Sequence, residues 1–482
     1  MMELATARDR RYDGRFLTGV VTTGIFCLPS CPARMPRPEN VRFFLSPEAA
    51  RAAGLRPCRR CTPDAFYAQR DPDRDVIEAL VAEVRRAPDK FADVEAVAAA
   101  SGFSRSKLHR LLRRHFHTGP AALLQRARVF RTRQLLQASR SAGRARSVLD
   151  VGLAAGYESG SSLHENFLSA TGMTPGSYRR MLGGRAFMLE LPPDFHVAST
   201  WRYLGRDAER TTEWVEGTTA RRVLRHGRYR AVVELEQRGR RMAVQVLGKA
   251  TPSPGAMAAF HDQLWRWLGL SALPASFERR AGRQRGWRAL LSRQRGLRLP
   301  QTPTVFEGLV WAMVGQQVNL AFAYRLRRVL AELCQARAKD GLRGHPTAAE
   351  VARLDYVDLT RRQFSQRKAE YVIDAARLAS GRRGGLEPWA GQAASRVAAD
   401  LVAIRGVGEW TQQYVLMRAC GFADCVPVGD AGLVKALQLF HGLDARPGAA
   451  QTRALMAPLA PHRSLATAHL WASLHQDSGG TA

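Results

Sequence analysis

Four of the seven cysteines fall at positions 27, 31, 58 and 61, as two close pairs separated by a loop. Three residues lie between the first two and two residues between the second two. This spacing builds a tetrahedral site in which four thiolates hold one Zn²⁺. It dictates a small module organised on a metal, and residues 1–70 suit one. They are rich in Pro and Arg and hold only short strand-like stretches, at 16–21 and 41–45. Disulfides are the competing reading. An odd cysteine count, and a 1–15 segment without an apolar stretch of the kind that directs export, weigh against them. On spacing alone, a purely structural zinc site is the default.

Charge is the second constraint. The 482 residues carry 73 Lys and Arg against 42 Asp and Glu, a net charge of +31. That excess calls for a polyanionic partner, with nucleic acid as the first candidate and double-stranded DNA the partner that the motifs below imply. Lys supplies only six of the basic residues, and Arg grips phosphate bidentately. A GC-rich genome explains part of the bias toward Arg, but not the shortage of acids. No apolar run approaches the roughly 18 residues that span a membrane. The expected location is therefore cytoplasmic, associated with the nucleoid.

The length exceeds one core, and the texture changes along the chain. The expected fold is multidomain and mainly α. A small zinc-bound α+β module (1–70) is followed by an all-α double helix-turn-helix (72–182). Next come an α+β domain with an antiparallel sheet (185–297) and an all-α helix-hairpin-helix domain (298–476). In the third segment 187–191, 229–235 and 242–247 carry the strand-forming pattern. The Arg-rich stretch 279–298 reads equally as a solvated helix face, a linker or a DNA contact. The tail from Asp477 is expected to be disordered.

Around the cysteines, Thr22-Thr-Gly-Ile-Phe-Cys-Leu-Pro-Ser-Cys-Pro-Ala-Arg and Gly54-Leu-Arg-Pro-Cys-Arg-Arg-Cys-Thr-Pro closely resemble the N-terminal domain of the Ada adaptive-response regulators, over residues 8–65. The resemblance implies that Cys27, besides binding zinc with Cys31, Cys58 and Cys61, accepts a methyl group from a methylphosphotriester in DNA. Methylation makes Cys27 a neutral thioether, lowers the negative charge of the site by one and favours DNA binding. Thr23, Arg56 and Arg60 stand where members of that family touch DNA; as exposed residues they suit plain surface equally well.

Residues 94–116 read as helix, turn at Gly102, N-cap at Ser104 and second helix, with Arg105, Lys107 and Arg110 among the side chains able to enter a major groove. A second copy at 151–167 ends in Gly172-Met-Thr-Pro-Gly-Ser-Tyr-Arg. The pair is similar to the AraC-type DNA-binding domain, which implies transcription activation and RNA polymerase as a partner. Gly152 replaces the small Ala usual there, and a helical Gly costs about 1 kcal/mol, so the second unit is expected to be the weaker.

The sharpest motif is Leu401-Val-Ala-Ile-Arg-Gly-Val-Gly-Glu-Trp-Thr-Gln-Gln-Tyr. A helix leads into a turn at Gly406 and Gly408, where backbone amides can approach a phosphate, and a second helix starts near Glu409. Asp430 follows in Val426-Pro-Val-Gly-Asp. With Phe306-Glu-Gly-Leu-Val-Trp-Ala-Met-Val-Gly-Gln-Gln-Val and Phe364-Ser-Gln-Arg-Lys-Ala-Glu-Tyr-Val, residues 186–445 resemble the AlkA-type 3-methyladenine DNA glycosylases of the helix-hairpin-helix superfamily. The resemblance implies Asp430 as the catalytic carboxylate, and Gln317 in the loop that fills the gap left by the flipped base. Trp410 and Tyr414, four apart on one helix face, suit stacking on a cationic base; core packing suits Tyr414 nearly as well. Relatives that also cleave the strand carry a Lys where this chain has Trp410, so a monofunctional enzyme leaving an abasic site is expected. Only Cys334, Cys420 and Cys425 lie in this half and none follows Asp430, so no iron–sulfur cluster is expected.

Together these features imply methylphosphotriester sensing, activation of repair genes and excision of alkylated purines. The alternative is a methylation-responsive regulator whose glycosylase half is inactive.

Overall fold

The structure, a computed structural model, describes residues 1–68, 71–141, 146–227, 229–334 and 341–474. The expected disordered tail lies outside them. The chain divides into two compact units, Met1–Ala79 and Leu80–Ala482.

In the first unit four short strands, β1 (Leu17–Val20), β2 (Ile25–Cys27), β3 (Val41–Phe44) and β4 (Arg56–Pro57), form a sheet in the order β3-β1-β2-β4. β1 is antiparallel to both its neighbours, and β4 runs parallel to β2. Sequence patterning finds β1 and β3. β2 and β4, three and two residues long, are too short to leave an alternation. The apolar cluster holds only Leu17, Phe26, Leu28, Ala50 and Leu55. So small a core makes metal binding part of the folding free energy.

The second unit opens with two helix-turn-helix pairs. Val94–Ser101 is followed by Arg105–Phe116, and Val148–Leu153 by Gly160–Thr171; the helix Pro120–Ser141 joins the pairs. The side chains of Asp93, Ser104, Ser147 and Ser159 each accept a backbone N–H of the helix they start, satisfying an otherwise orphan donor. At Gly152 an added Cβ would lie 2.6 Å from Leu163 Cδ2. The glycine that weakens the helix also lets the two helices of the second pair approach.

A five-stranded antiparallel sheet follows, in the order β5-β9-β8-β7-β6. Its strands are β5 (Ala186–Glu190), β6 (Glu213–Glu216), β7 (Thr219–His226), β8 (Tyr229–Arg238) and β9 (Arg241–Val246). The sequence shows β5, β8 and β9 but hides β6 and β7, whose Glu213, Arg221, Arg222 and Arg225 interrupt the apolar pattern. Leu136, Phe167 and Tyr178 share one core with Leu189, Val233, Phe260 and Trp265, so the helix-turn-helix region and the sheet are continuous in packing.

The remaining helices form two clusters. One contains Val305–Val314, Gln366–Gly381, Ala394–Val402 and Glu409–Arg418. The other packs Ala431–His441 and Arg463–Ser473 on Pro274–Ala281 and Trp287–Arg293. The Arg-rich stretch is thus two short helices that bury Phe277, Ala281, Trp287 and Leu291 and expose most of their arginines. Among the described residues no helix is long and apolar enough to cross a membrane.

Candidate zinc centre, DNA-facing elements and active site

The Sγ atoms of Cys27, Cys31, Cys58 and Cys61 all lie within 4.8 Å of one another. A Zn–S bond of about 2.3 Å sets the edge of a tetrahedral four-sulfur site near ~3.8 Å, so the residues fit Zn²⁺. Two backbone amides donate to sulfurs, Leu28 N to Cys61 (3.3 Å) and Arg60 N to Cys58 (3.4 Å). Asp13 fastens the loop between Cys27 and Cys31, accepting from Ser30 N (3.0 Å) and Ser30 Oγ (2.6 Å). Cys31 and Cys58 are buried, whereas Cys27 and Cys61 remain partly accessible. Thr23, Arg56 and Arg60 are exposed. Arg56 N bonds Gly24 O (2.8 Å), bringing β4 beside the turn that carries Thr23.

In the first helix-turn-helix, Arg105 and Arg110 are exposed. Arg105 pairs with Glu95 at 2.6 Å, and Lys107 Nζ lies 4.1 Å from the Phe103 ring centroid. The C-terminal end of this helix packs on Ala394–Val402, the first helix of the hairpin motif. His115 Nδ1 shares a hydrogen bond with Ser395 Oγ (2.7 Å), and His117 Nδ1 accepts from Asp424 N (3.1 Å).

The hairpin joins Ala394–Val402 to Glu409–Arg418. Gly406 has φ +86°, and a Cβ there would strike the Tyr371 ring at 2.4 Å. Gly408 is extended, with φ −94° and ψ −178°, and a Cβ there would meet nothing within 4 Å. Only the first glycine is needed for its conformation; the second leaves open space before the amides of the following helix.

Asp430 is the N-cap of Ala431–His441. Its Oδ1 accepts from Leu433 N (2.8 Å) and Trp471 Nε1 (2.9 Å), and its Oδ2 from Trp410 Nε1 (3.1 Å). Three donors and the positive end of a helix converge on this carboxylate, suiting an acceptor-only group held in one orientation. Gly432 makes room: a Cβ there would lie 3.2 Å from Asp430 Oδ1 and 3.3 Å from Trp471. Tyr414 is buried, with its ring centroid 5.2 Å from that of Trp410 and 6.3 Å from that of Trp471. Its hydroxyl accepts from Trp311 Nε1 (2.8 Å), and burial pushes its pKa up.

Gln317 is exposed and left-handed, with φ +54°, a conformation costly for a residue with a side chain. Its neighbours over-determine it. Gln316 Nε2 donates to Gly406 O and Thr411 Oγ1, both at 2.8 Å. Lys368 Nζ donates to the carbonyls of Met313, Val314 and Gln316 at 2.7–3.1 Å. Sequence reasoning singled out neither Trp471, Gln316 nor Lys368. For Trp471 the only available signal was an indole at the inward face of the last helix.

Comparison with known proteins matches four families in succession. They are the metal binding domain of Ada (residues 1–64), a helix-turn-helix domain (97–181), the AlkA N-terminal domain (186–303) and the HhH-GPD superfamily of base excision DNA repair proteins (310–462). A probable bifunctional transcriptional activator/DNA repair enzyme AlkA from Mycobacterium tuberculosis is 30% identical, over 97% of this chain and 95% of its own length. A DNA-3-methyladenine glycosylase from Bacillus subtilis is 27% identical, over 60% of this chain and 97% of its own length. The solved 3-methyladenine DNA-glycosylase from Archaeoglobus fulgidus aligns with a TM-score of 0.54 at 20% identity, covering 61% of this chain and all of that one, which fixes the fold.

Proposed function

This chain belongs to the family of bifunctional transcriptional activator/AlkA-type DNA repair enzymes, and on that premise we propose that it excises alkylated purines of the 3-methyladenine type with Asp430 as the catalytic carboxylate. The observation that carries the reading is the triply bonded Asp430 carboxylate beside Trp410 and Trp471. A base must leave the stack before its glycosidic bond is reachable. The open backbone at Gly406–Gly408 suits a phosphate flanking the lesion, and Gln317, projecting from its braced loop, suits the vacated space. Alkylation leaves the purine cationic and a good leaving group. The N-glycosidic bond breaks with its electron pair going to the base, water adds to C1′ of the sugar, and the water proton is lost through Asp430 to solvent. The negative carboxylate stabilises the oxocarbenium-like sugar between these events. Trp410 occupies the position a strand-cleaving enzyme would need for Lys, so the product is an intact strand with an abasic site.

At the other end of the chain, Cys27, Cys31, Cys58 and Cys61 hold Zn²⁺. Bound zinc keeps their sulfurs as thiolates at neutral pH. Cys27, partly accessible, attacks the methyl carbon of a methylphosphotriester: an S–C bond forms, the methyl C–O bond breaks and a phosphodiester anion leaves. Thr23, Arg56 and Arg60 supply the adjacent DNA contacts. Arg105, Lys107 and Arg110 face the major groove of promoter DNA, RNA polymerase is the partner of the activator function, and the protein works at the nucleoid.

The test is release of 3-methyladenine and 7-methylguanine from methylated duplex DNA, comparing wild type with Asp430→Asn. Release that collapses in the variant and leaves abasic strands uncut is expected. Folded, DNA-binding wild type that releases neither base sinks the reading in favour of a regulator with an inactive glycosylase half. Mass spectrometry after incubation with methylphosphotriester DNA tests the other end, with one added methyl on Cys27 expected.

A further inference from the structure

The loop between the helices Val305–Val314 and Leu320–Cys334 is fastened at its start, its middle and its end. Gly315, which closes the first helix, is right-handed with φ −78°. The helix therefore lacks the left-handed residue that commonly satisfies its last carbonyls. Lys368 takes that part. Its Nζ donates to the carbonyls of Met313 and Val314, both at 3.1 Å, and of Gln316 at 2.7 Å, which uses all three donors of an ammonium. Burial alone lowers its pKa, and no carboxylate among the described residues contributes. At the far end Asn319 Oδ1 accepts from Phe322 N (2.9 Å).

Gln316 holds the middle. Lys368 grips its backbone carbonyl, and its own Nε2 donates to Gly406 O and Thr411 Oγ1, both at 2.8 Å. The first of these bonds reaches the turn of the hairpin. The second reaches a residue 2% exposed that directly follows Trp410, and Trp410 Nε1 donates to Asp430 Oδ2 (3.1 Å). A few bonds and one peptide step thus join the loop to both the hairpin and the catalytic carboxylate.

Between these anchors Gln317 is exposed and left-handed. A glycine would take that conformation freely. A side chain kept there at a cost, by bonds on either side of it, points to a use for the side chain.

We propose that Gln316 and Lys368 are positioning residues of the glycosylase: they preset Gln317, so that seating a lesion-flanking phosphate on the hairpin and filling the space left by the flipped base become one event. The proposal rests on the glycosylase reading. A loop that is already ordered adds no ordering cost when the base leaves the stack. Gln317 meets the DNA, and Gln316 and Lys368 act through it. A planar guanidinium cannot aim three donors at three converging carbonyls, so Arg is not expected to replace Lys368.

The test is single-turnover release of 3-methyladenine from methylated duplex DNA at saturating full-length protein. It compares wild type, Gln317→Ala, Gln316→Ala, Lys368→Met, and the two double variants that add Gln316→Ala or Lys368→Met to Gln317→Ala. Each single change is expected to slow release about tenfold or more. Each double variant is expected to stay within about twofold of Gln317→Ala, because a residue that acts through Gln317 then has nothing left to place. Gln316→Ala, which removes neither a charge nor a helix cap, carries the test if Lys368→Met does not fold. A duplex with 2-aminopurine opposite a tetrahydrofuran abasic analogue reports the loop without chemistry. Wild type is expected to change its fluorescence on binding, and Gln316→Ala to bind the same duplex while losing most of that change. Single variants at the wild-type rate, double variants slowed by the product of the single effects, or a full fluorescence change in Gln316→Ala overturn the assignment while the glycosylase reading stands. Wild type that releases neither 3-methyladenine nor 7-methylguanine removes both.

Discussion

Replacing Glu307 by Gln tests whether the buried ionic ring is a fastening between the sheet and the catalytic helices. Glu213 of β6 and Arg222 of β7 meet Glu307 of Val305–Val314 and Arg327 of Leu320–Cys334, each glutamate pairing with both arginines. All four side chains are at most 7% exposed, and the ring is neutral as a whole. Glu307→Gln leaves two guanidinium groups facing one carboxylate, an uncompensated buried charge worth about 3–5 kcal/mol. The pKa of Glu307 gives a second route to the size. Burial raises it, but Arg222, His345 and Arg327 outweigh burial and hold it at about 2, against the ordinary 4.5. At about 1.4 kcal/mol per pH unit that is about 3 kcal/mol. The sign follows: the contribution is complete above pH 4.5 and is lost as pH falls through about 2. Urea unfolding followed by tryptophan fluorescence suits the measurement, because Arg222 lies 5.3 Å from Trp267 and Arg327 5.5 Å from Trp311. Adding Arg327→Met to Glu307→Gln restores neutrality and is expected to recover a substantial part of the loss. A single variant within about 1 kcal/mol of wild type, or a double variant at the sum of the two singles, would refute the ring as a coupled unit.

Acid is expected to weaken the second unit well before the carboxylates titrate. Burial lowers the pKa of His117 and His345 to about 4 and of His469 to about 3, from the ordinary 6.5. The unfolded chain therefore takes up protons first, and stability falls as pH drops from about 6.5 toward 4; a flat urea midpoint across that range would contradict the burial of these rings. Gly308→Val is expected to cost about 1–3 kcal/mol by overpacking, because a Cβ at 308 would lie 2.3 Å from the Ala419 Cβ, where Val305–Val314 crosses Glu409–Arg418; an unchanged unfolding midpoint would show that the two helices separate freely.

How much was legible in the sequence depended on whether a structural rule reads one residue or a set. The zinc ligands were legible because their spacing is itself the rule. The hairpin was legible because Gly406 and the start of the next helix are local. The helix cap Ser104 announces itself in the same way. β7 was not legible, because the alternation that marks a half-buried strand is broken where Arg222 turns inward to Glu213 and Glu307. The support around Asp430 was half legible. Trp410 follows the hairpin by a fixed step, but Trp471 reaches the carboxylate from a helix 41 residues away in sequence, and no local pattern ties the two.

The same limit applies to charge. A net +31 treats every arginine as a potential phosphate ligand, but the fold divides them by what surrounds each. Arg222 and Arg327 neutralise buried glutamates, and Arg298, 4% exposed at its side chain, holds Asp194 at 2.9 Å. Arg105, Arg110 and the arginines of 279–295 keep most of their heads in solvent, where their field is felt by a polyanion and screened by salt. Only the exposed group contributes to the salt dependence of DNA binding. The paired buried group contributes to stability, and Arg418, buried without a pair, fits neither account. Composition counts all of these arginines alike, which is why it finds DNA as the partner but says nothing about which base is taken from it.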